Sequence, residues 1–343
     1  MNTGPEFVAF GEIMLRLSPP GHRRILQAQS FEAVYGGGEA NVAATMAQLG
    51  IASRFVTVVP DNDIGQGAIN SLRGWGVDTS RVICSGDRLG IYFLEHGASQ
   101  RPSVVLYDRK GSAISEIAPS SFDWDEVLTG AQWFHFSGIT PALSASAAKA
   151  TVQAAKTAKQ LGLTVSCDLN YRKKLWARKE AEAIMTGLMA DVDVLIANEE
   201  DCESVFGISG KGSNVDSGGI DHREYQDVAS AIVGRFGIET VAITLRESQS
   251  ASRNGWSGMF YQDGRAYFSR RYEIDIVDRV GSGDAFAAGL IYGMMKGLEP
   301  QETIEFAAAS GCLKHSVPGD FNVVSVAEIE ALARGGGSGR VQR

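Results

Sequence analysis

The tetrapeptide Gly281-Ser282-Gly283-Asp284 is the segment of the sequence best suited to bind an anion and accept a proton. It leads into small and apolar residues that predict an amphipathic helix ending near Lys296. Amides at the start of a helix, unobstructed by side chains, bind phosphate, and the helix dipole favours the negative charge. The same positive end would keep Asp284 ionised as a general base for a bound hydroxyl. A glycine-rich turn with an acidic capping residue is the alternative interpretation.

Two further groups of polar residues directly follow apolar segments that predict strands. Asp168, Asn170 and Arg172 follow segment 163–167, and Asn198 and Asp201 follow segment 192–197. Ligands of an open parallel sheet bind outside the carboxyl ends of its strands. The sequence therefore predicts that an arginine and several carboxylates meet at one edge of a sheet. Ordinary turn and capping chemistry is the alternative, because Asp and Asn are common at such positions.

The elements that must position these residues alternate between strand and helix from about Ala131 onward. This alternation predicts an α/β fold, with a parallel sheet and helices on both faces. The predicted strands are 133–136, 163–167 and 192–197, and the predicted helices are 144–161 and 178–190. Residues 207–221 predict a surface loop, and residues 335–343 a frayed tail.

The N-terminal part of the chain predicts a second, smaller sheet. Strands are predicted at 7–10, 13–17 and 55–59, and a helix begins after the glycines at 36–38. Segments 91–94 and 104–107 predict antiparallel strands without a helix between them. We expect these two to join 13–17 in a small exposed sheet that acts as a lid.

Composition excludes several classes of protein. The chain has 343 residues, 44% of them hydrophobic, and a net charge of −8. These values exclude a disordered chain, and the acidic balance without a basic block predicts no nucleic-acid partner. No long apolar run or signal peptide is present, so we expect no membrane partner and a cytoplasmic location. The four cysteines form no C-x-x-C pair, which fits a reduced compartment.

Other motifs of phosphate and metal chemistry are missing from the sequence. It contains no G-x-x-x-x-G-K-[ST], no H-R-D or D-F-G set and no G-x-G-x-x-G. These absences argue against P-loop, protein-kinase and dinucleotide-binding proteins. The five histidines show no H-x-x-x-H spacing, which argues against a catalytic zinc site.

Four motifs, in this order, resemble the ribokinase-like sugar kinases, also called the PfkB family. They span about residues 7–330 and are Gly36-Gly37-Gly38-Glu39-Ala40-Asn41, Asp168-x-Asn170-x-Arg172, Asn198-x-x-Asp201 and Gly281-x-Gly283-Asp284. The resemblance implies a three-layer α/β/α fold with a central, mostly parallel sheet and a small antiparallel lid sheet. It also implies a single kinase domain at 1–334, with lid strands from about 12–35 and 90–108, and a flexible tail at 335–343.

The resemblance implies transfer of the γ-phosphoryl group of ATP to the terminal hydroxyl of a sugar acid. Segments 107–113, 137–140 and 168–172 are most similar to the family members that act on 2-keto-3-deoxygluconate, which implies 2-keto-3-deoxy-6-phosphogluconate and ADP as products. A fructokinase or other neutral-sugar kinase, a nucleoside kinase and a non-catalytic sugar-binding protein remain alternatives. ATP and Mg²⁺ are implied, and a monovalent cation is left open. We expect a homo-oligomer, because exposed lid strands need covering.

The resemblance also implies roles for individual residues. Asp284 would be the base, and the amides of Gly281, Ser282 and Gly283 would stabilise the transferring phosphoryl group. Arg109 and Arg172 would bind the substrate carboxylate, which a guanidinium matches in shape. The other implied substrate contacts are Gly36, Gly37, Asn41, Tyr92, Tyr107 and Asp320.

The nucleotide would contact Asn198, Thr244 and Arg246 as well as Gly281 and Gly283, with its base between 244–247 and a helix around 307–314. Asp201 would act near Mg²⁺ through water. The sequence departs from the family at two of these positions. Asp201 stands where the family more often has glutamate, and Arg246 stands where it usually has glycine.

Overall fold

A computed structural model gives the structure of residues 4–210 and 222–336. Most of the expected loop at 207–221 and most of the expected tail at 335–343 lie outside these residues. Strands and helices are numbered along the chain. The strands are β1 Phe7–Phe10, β2 Met14–Ser18, β3 Glu32–Gly36, β4 Ser53–Val59, β5 Val82–Cys84, β6 Gly90–Glu95, β7 Val104–Asp108, β8 Trp133–Ser137, β9 Thr164–Asp168, β10 Val194–Ala197, β11 Thr240–Ser248, β12 Arg253–Gln262, β13 Arg265–Phe268 and β14 Tyr272–Asp275.

The α-helices of the described residues cover the sheet, and the two helices predicted at 144–161 and 178–190 are observed to within two residues at each end. The helix expected around 307–314 begins earlier, at Pro300. The α-helices are α1 Gly38–Gln48, α2 Asp63–Gly74, α3 Trp124–Leu128, α4 Ala145–Gln160, α5 Arg178–Leu188, α6 Glu199–Phe206, α7 His222–Phe236, α8 Ser282–Met295, α9 Pro300–Lys314 and α10 Val326–Ala333. Within these residues, no helix is both long and apolar enough to cross a membrane.

The main sheet is mostly parallel, as predicted. Its strand order is β13-β12-β11-β10-β9-β8-β1-β4-β5, and β14 also pairs with β12. Strands β11, β10, β9, β8, β1, β4 and β5 run parallel to one another in this order, whereas β12 pairs antiparallel with β11, β13 and β14. The carboxyl ends of β8, β9, β10 and β11 therefore lie side by side, in the place where an α/β sheet binds ligands.

Alternate residues of β1 enter two different cores, one on each face of the main sheet. Val8 and Phe10 pack with the α4 and α5 side, whereas Phe7 and Ala9 pack with the α1, α8 and α9 side. Burial on both faces explains why this strand is a continuous apolar run rather than an alternating one. The two helical layers and the sheet form the three-layer α/β/α arrangement that was expected.

The small sheet has the order β3-β2-β6-β7 and contains both segments that the sequence placed in the lid. It is mixed rather than wholly antiparallel, because β2 pairs with β6 in parallel. The reason lies in the main sheet. The chain enters β2 directly after β1 and enters β6 after β5, and β1 and β5 run in the same direction. Both lid segments therefore leave the main sheet at the same edge, and β2 and β6 start out in the same direction.

Candidate active site

A cavity of about 340 Å³ lies between the lid sheet and the carboxyl ends of β8 to β11. All the site residues predicted above line it, except Gly36. Gly36 instead packs against Asp320, whose carboxylate a side chain at this position would overlap. The predicted residues that line the cavity are Gly37, Asn41, Tyr92, Tyr107, Arg109, Arg172, Asn198, Asp201, Thr244, Arg246, Gly281, Ser282, Gly283, Asp284 and Asp320.

The start of α8 presents hydrogen-bond donors in the wall of this cavity. Gly281 caps the helix with a φ of 82°, and a Cβ atom there would overlap the carbonyl oxygen of Asp320. Only glycine meets both requirements without strain. The amides of Gly283 and Asp284 have no acceptor within the described residues, as expected for the first turn of a helix. The buried Oγ of Ser282 also lacks a partner there.

Asp284 has the geometry and the acidity of a general base. Its Oδ2 accepts a hydrogen bond of 2.6 Å from Nδ2 of Asn41. The pKa of Asp284 is raised to about 7, chiefly by burial, with a further contribution from the charges of Asp320 and Glu39 and with Asn41 and Arg172 opposing the rise. The expectation that the helix dipole keeps this group fully ionised is therefore too simple. A pKa near neutrality suits a base that must take up a proton and release it again.

Helix α1 holds Asn41 in place. Oδ1 of Asn41 accepts from the amide of Gly37 at 3.1 Å, so both ends of the side-chain amide are bound. Two residues earlier, the buried Glu39 accepts 2.7 Å hydrogen bonds from the hydroxyls of Ser137 and Thr140. These bonds fix α1 to the end of β8. The glycine-rich motif therefore orients Asp284 through Asn41.

Two carboxylates at the ends of β9 and β10 complete one wall of the cavity. Asn198 caps α6 by accepting from the amide of Asp201 at 2.8 Å, and its Nδ2 donates to the Asp201 carboxylate at 2.9 Å. Burial raises the pKa of Asp201 to about 6. Burial also raises the pKa of Asp168, and the neighbouring Asp284 and Asp201 add to the rise. No role was predicted for Asp168, although its position directly after a strand was a usable signal.

These carboxylates fit Mg²⁺ bound together with a nucleotide. Within the described residues, no three side chains form a ready metal cage. Mg²⁺ does not need one, because it keeps several waters and binds one or two carboxylates plus substrate phosphates. A nearby cation would also favour the ionised forms of Asp201 and Asp168, whose pKa values are raised by burial.

The two predicted carboxylate-binding arginines differ in their surroundings. Arg109 is only 7% exposed and is bonded to the buried carboxylate of Glu12, which also accepts from the Ser112 hydroxyl at 2.7 Å. This pairing rules out a solvated Arg109. Arg172 is half-buried, donates at 3.3 Å to the carbonyl of Tyr171, and has no ion pair within the described residues. Arg172 is therefore the one of the two whose guanidinium is open to a ligand carboxylate.

A buried ionic network joins the lid to the loop that precedes α8. Arg16 on β2 forms ion pairs with Asp278 at 2.6 Å and with Asp320 at 2.8 Å, and Asp320 also accepts from the hydroxyl of Tyr92. Burial alone would lower the pKa of Arg16, but Asp320 and Asp278 raise it above its ordinary value. The hydroxyl proton of Tyr92 is thus already engaged, whereas Tyr107 is 41% exposed. Sequence reasoning missed Arg16 and Asp278.

Two further arginines line the cavity near the carboxyl-terminal part of β11. Thr244 and Arg246 line the cavity, and the guanidinium of Arg246 lies 5.4 Å from the centre of the buried Trp256 ring. Arg279 lines the same cavity and was not predicted, although it stands two residues before Gly281. A wider groove of about 1050 Å³ shares Arg172 and Arg109 with the cavity. Its other basic residues are Lys110, Lys173, Lys174 and Arg178.

Comparisons with known proteins agree on the class of protein that this chain resembles. Residues 5–325 match the model of the pfkB family carbohydrate kinases. A 2-dehydro-3-deoxygalactonokinase of Haloferax volcanii is 36% identical, over 97% of this chain and 98% of its own length. A 2-dehydro-3-deoxygluconokinase of Thermoproteus tenax is 30% identical, over 95% and 94%. The crystal structure of a 2-dehydro-3-deoxygluconokinase from Thermotoga maritima has a TM-score of 0.94 and 53% identity, over 97% and 100%.

Proposed function

The chain belongs to the pfkB family of carbohydrate kinases and is an ATP-dependent sugar kinase with the ribokinase-like fold, and from this we propose that its substrate is 2-keto-3-deoxy-D-gluconate. This compound is the 2-dehydro-3-deoxygluconate in the names of two of the relatives. Phosphorylation of its 6-hydroxyl by ATP would give 2-keto-3-deoxy-6-phosphogluconate and ADP. Kinases of this family use a divalent metal with ATP.

The observation that carries the proposal is the open guanidinium of Arg172 in the same cavity as Asp284. A sugar acid needs a cation for its carboxylate and a base for its hydroxyl, and the cavity holds both. A neutral sugar would leave Arg172 with only its longer-range attraction to Asp168, Asp201 and Asp284 when the site is filled and water is displaced, which is costly. Arg109 contributes indirectly, because its charge is already matched by Glu12.

The proposed chemistry divides the work among three groups of residues. Asp284 takes the proton of the attacking hydroxyl, while Asn41 holds the carboxylate in place. The amides at the start of α8 stabilise charge on the transferring phosphoryl group. Asp201 and Asp168 would hold Mg²⁺, which supplies further neutralisation of the phosphate oxygens. Most of the rate enhancement then comes from positioning and electrostatics.

The galactonate-derived epimer is the second candidate substrate. The Haloferax relative, 36% identical, is named for it, whereas two other relatives are named for the gluconate-derived compound. The two sugar acids share the carboxylate and the terminal hydroxyl, so Arg172 and Asp284 serve both equally. The epimers differ at a carbon whose hydroxyl would contact other residues of the cavity.

A coupled ADP-release assay with ATP and Mg²⁺ tests the substrate class. The panel would contain both 2-keto-3-deoxy sugar acids, fructose, ribose and adenosine at equal concentrations. We expect kcat/KM to be highest for a sugar acid, and we expect Arg172→Ala to remove that preference while Lys173→Ala, a neighbouring exposed position, leaves it intact. Preference of the parent for fructose, ribose or adenosine would contradict the sugar-acid assignment.

We also propose that the outer face of the lid sheet joins copies of this chain. On β7, Val104 and Leu106 are 40% and 48% exposed, and the half-buried Phe93 pairs with Leu106 across the sheet. Leu17 on β2 pairs with Phe93 and extends the same apolar face. Association between copies would remove this surface from water.

A further inference from the structure

We propose that the guanidinium groups of Arg246 and Arg279 together bind the phosphate chain of ATP, an arrangement that we call the arginine clamp. The inference rests on the kinase reaction proposed above and concerns how its nucleotide is held. Both arginines line the cavity that contains residues 281–284 at the start of α8. Arg279 is separated from Gly281 by one residue, and Arg246 lies at the end of β11.

Neither arginine is neutralised by the protein. The guanidinium of Arg279 donates to the carbonyl oxygen of Ala251 at 3.1 Å, a neutral acceptor, and that of Arg246 lies over the ring of Trp256. The exposed Glu200 acts on Arg246 only at long range, because no ion pair joins them within the described residues. Both side chains are therefore held in place while their charge remains available to a ligand.

The surroundings contain further charges of both signs, because the buried Lys314 lies near the carboxylates of Asp278, Asp320 and Asp284. The fully buried Lys314 packs next to Gly281 and donates to the carbonyl of Val317 at 3.0 Å. Burial lowers the pKa of His315 to about 4, and Arg246, Lys314 and Arg279 also act to lower it, so this histidine is neutral at pH 7. Two arginines and a helix N-terminus thus lie along one part of the cavity, with Lys314 buried behind Gly281, and the Ser282 Oγ has no partner among the described residues.

The amount and position of this charge favour a polyphosphate over a monocarboxylate. A sugar acid carries one negative charge, which Arg172 can match after β9. Arg246 lies at the end of β11, two strands farther along the sheet in the order β9-β10-β11. A phosphate chain carries several charges, and planar guanidinium groups bind its oxygens in pairs. The two arginine sites therefore suit the two anionic substrates of one reaction.

Isothermal titration calorimetry with ATP, ADP, AMP and the sugar acid as separate probes tests the clamp without turnover. For Arg279→Ala and Arg246→Ala we expect ATP and ADP to bind roughly 10- to 100-fold more weakly, with AMP and the sugar acid unchanged. Arg279→Lys should fall between Arg279→Ala and the parent, because it keeps the charge but loses the paired donors. Arg253→Ala is the matched control, since this exposed arginine pairs with Asp275 outside the cavity.

Three results would overturn the clamp. Unchanged ATP affinity in both alanine variants would show that the arginines do not contact the nucleotide. Equal weakening of AMP and ATP would place their contacts before the β-phosphate, and weakening of the sugar acid alone would assign them to its carboxylate. Thermal melts establish that each variant is folded, and Arg279→Lys decides the question if Arg279→Ala does not fold. A parent that binds ATP but phosphorylates no sugar acid would refute the proposed substrate and leave the clamp testable.

Discussion

Replacing Asn41 with alanine should move the pH dependence of the reaction upward. Asn41 donates a 2.6 Å hydrogen bond to the carboxylate of Asp284, and this bond opposes the rise of its pKa to about 7. The bond stabilises the ionised form, so its loss raises the pKa further. The base acts only when ionised. As the pH is lowered, the activity of the variant must therefore begin to decline at a higher pH than that of the parent.

The size of the shift follows from the strength of the lost bond. A hydrogen bond to a charged group contributes about 1.5–3 kcal/mol, and one pKa unit corresponds to about 1.4 kcal/mol. The upper limit is therefore about two units, and we expect about one, because water in the open cavity can replace part of the amide. The ionised fraction of Asp284 at pH 7 would fall from about one half to about one tenth. At pH 7 the loss of ionisation should lower the kcat/KM of Asn41→Ala about fivefold, in addition to any pH-independent loss from a less well oriented Asp284, and this pH-dependent part should vanish near pH 9.

The assay is kcat/KM for the sugar acid by coupled ADP release, from about pH 5.5 to about pH 9.5. Thr45→Val is the matched control, because Thr45 lies one turn further along α1 and donates to the backbone oxygen of Asn41 at 2.8 Å, not to Asp284. Its profile should match the parent's. Ionisation of ATP is common to all the proteins, so a difference between profiles belongs to the enzyme. If the acidic limb of the Asn41→Ala profile has its midpoint at the same pH as that of the parent, or at a lower pH, the reasoning is refuted.

Four other substitutions test separate parts of the structure. Asp284→Asn should lower kcat by roughly 10²- to 10⁴-fold with an unchanged KM, because it removes the base and keeps its shape, and parent-like turnover would exclude that role. Arg172→Ala should weaken sugar-acid binding by about 2–5 kcal/mol, measured as KM and by calorimetry, and an unchanged KM would place the carboxylate elsewhere. Arg16→Met should lower the free energy of unfolding in urea by about 3–5 kcal/mol, since it leaves two buried aspartates without their partner; a loss below 1 kcal/mol would mean that water already reaches them. Leu106→Glu should lower the molar mass in light scattering by disrupting the lid interface, and an unaltered mass would locate the interface on another surface.

Local patterns were sufficient to find most of the elements around the site. The apolar run of β1 and the small-residue helix α8 match their predicted positions, because each is encoded within a few consecutive residues. Strand β3 was not predicted from the local pattern, although the lid range 12–35 covers most of it, since its residues Glu32 and Ala33 are exposed and its sequence shows no clear alternation. The parallel pairing of β2 with β6 was also missed, because it is set by the directions of β1 and β5 in another sheet.

Within the site, too, features encoded by neighbouring residues could be predicted, and features that depend on distant parts of the chain could not. Asp168, Asn198 and Arg172 could be placed from sequence because they directly follow strands. The partner of Arg109 could not, because Glu12 is 97 residues away in the chain and nothing local specifies the pair. Nor could sequence give a pKa near 7 for Asp284, since that value depends on how several elements exclude water from one carboxylate.

The lid sheet is built from two separate segments of the chain and is therefore not a continuous, independent unit. Strands β2 and β3 belong to one excursion of the chain and β6 and β7 to another, with α1, β4, α2 and β5 of the main domain between them. Among the described residues, the parallel contact between β2 and β6 is the strand pairing that joins the two halves. A lid transplanted from another kinase, or trimmed from this one, would have to be cut at both excursions at once. We therefore expect changes of length in the lid to be tolerated at its hairpin ends, where they do not shift the pairing of β2 with β6.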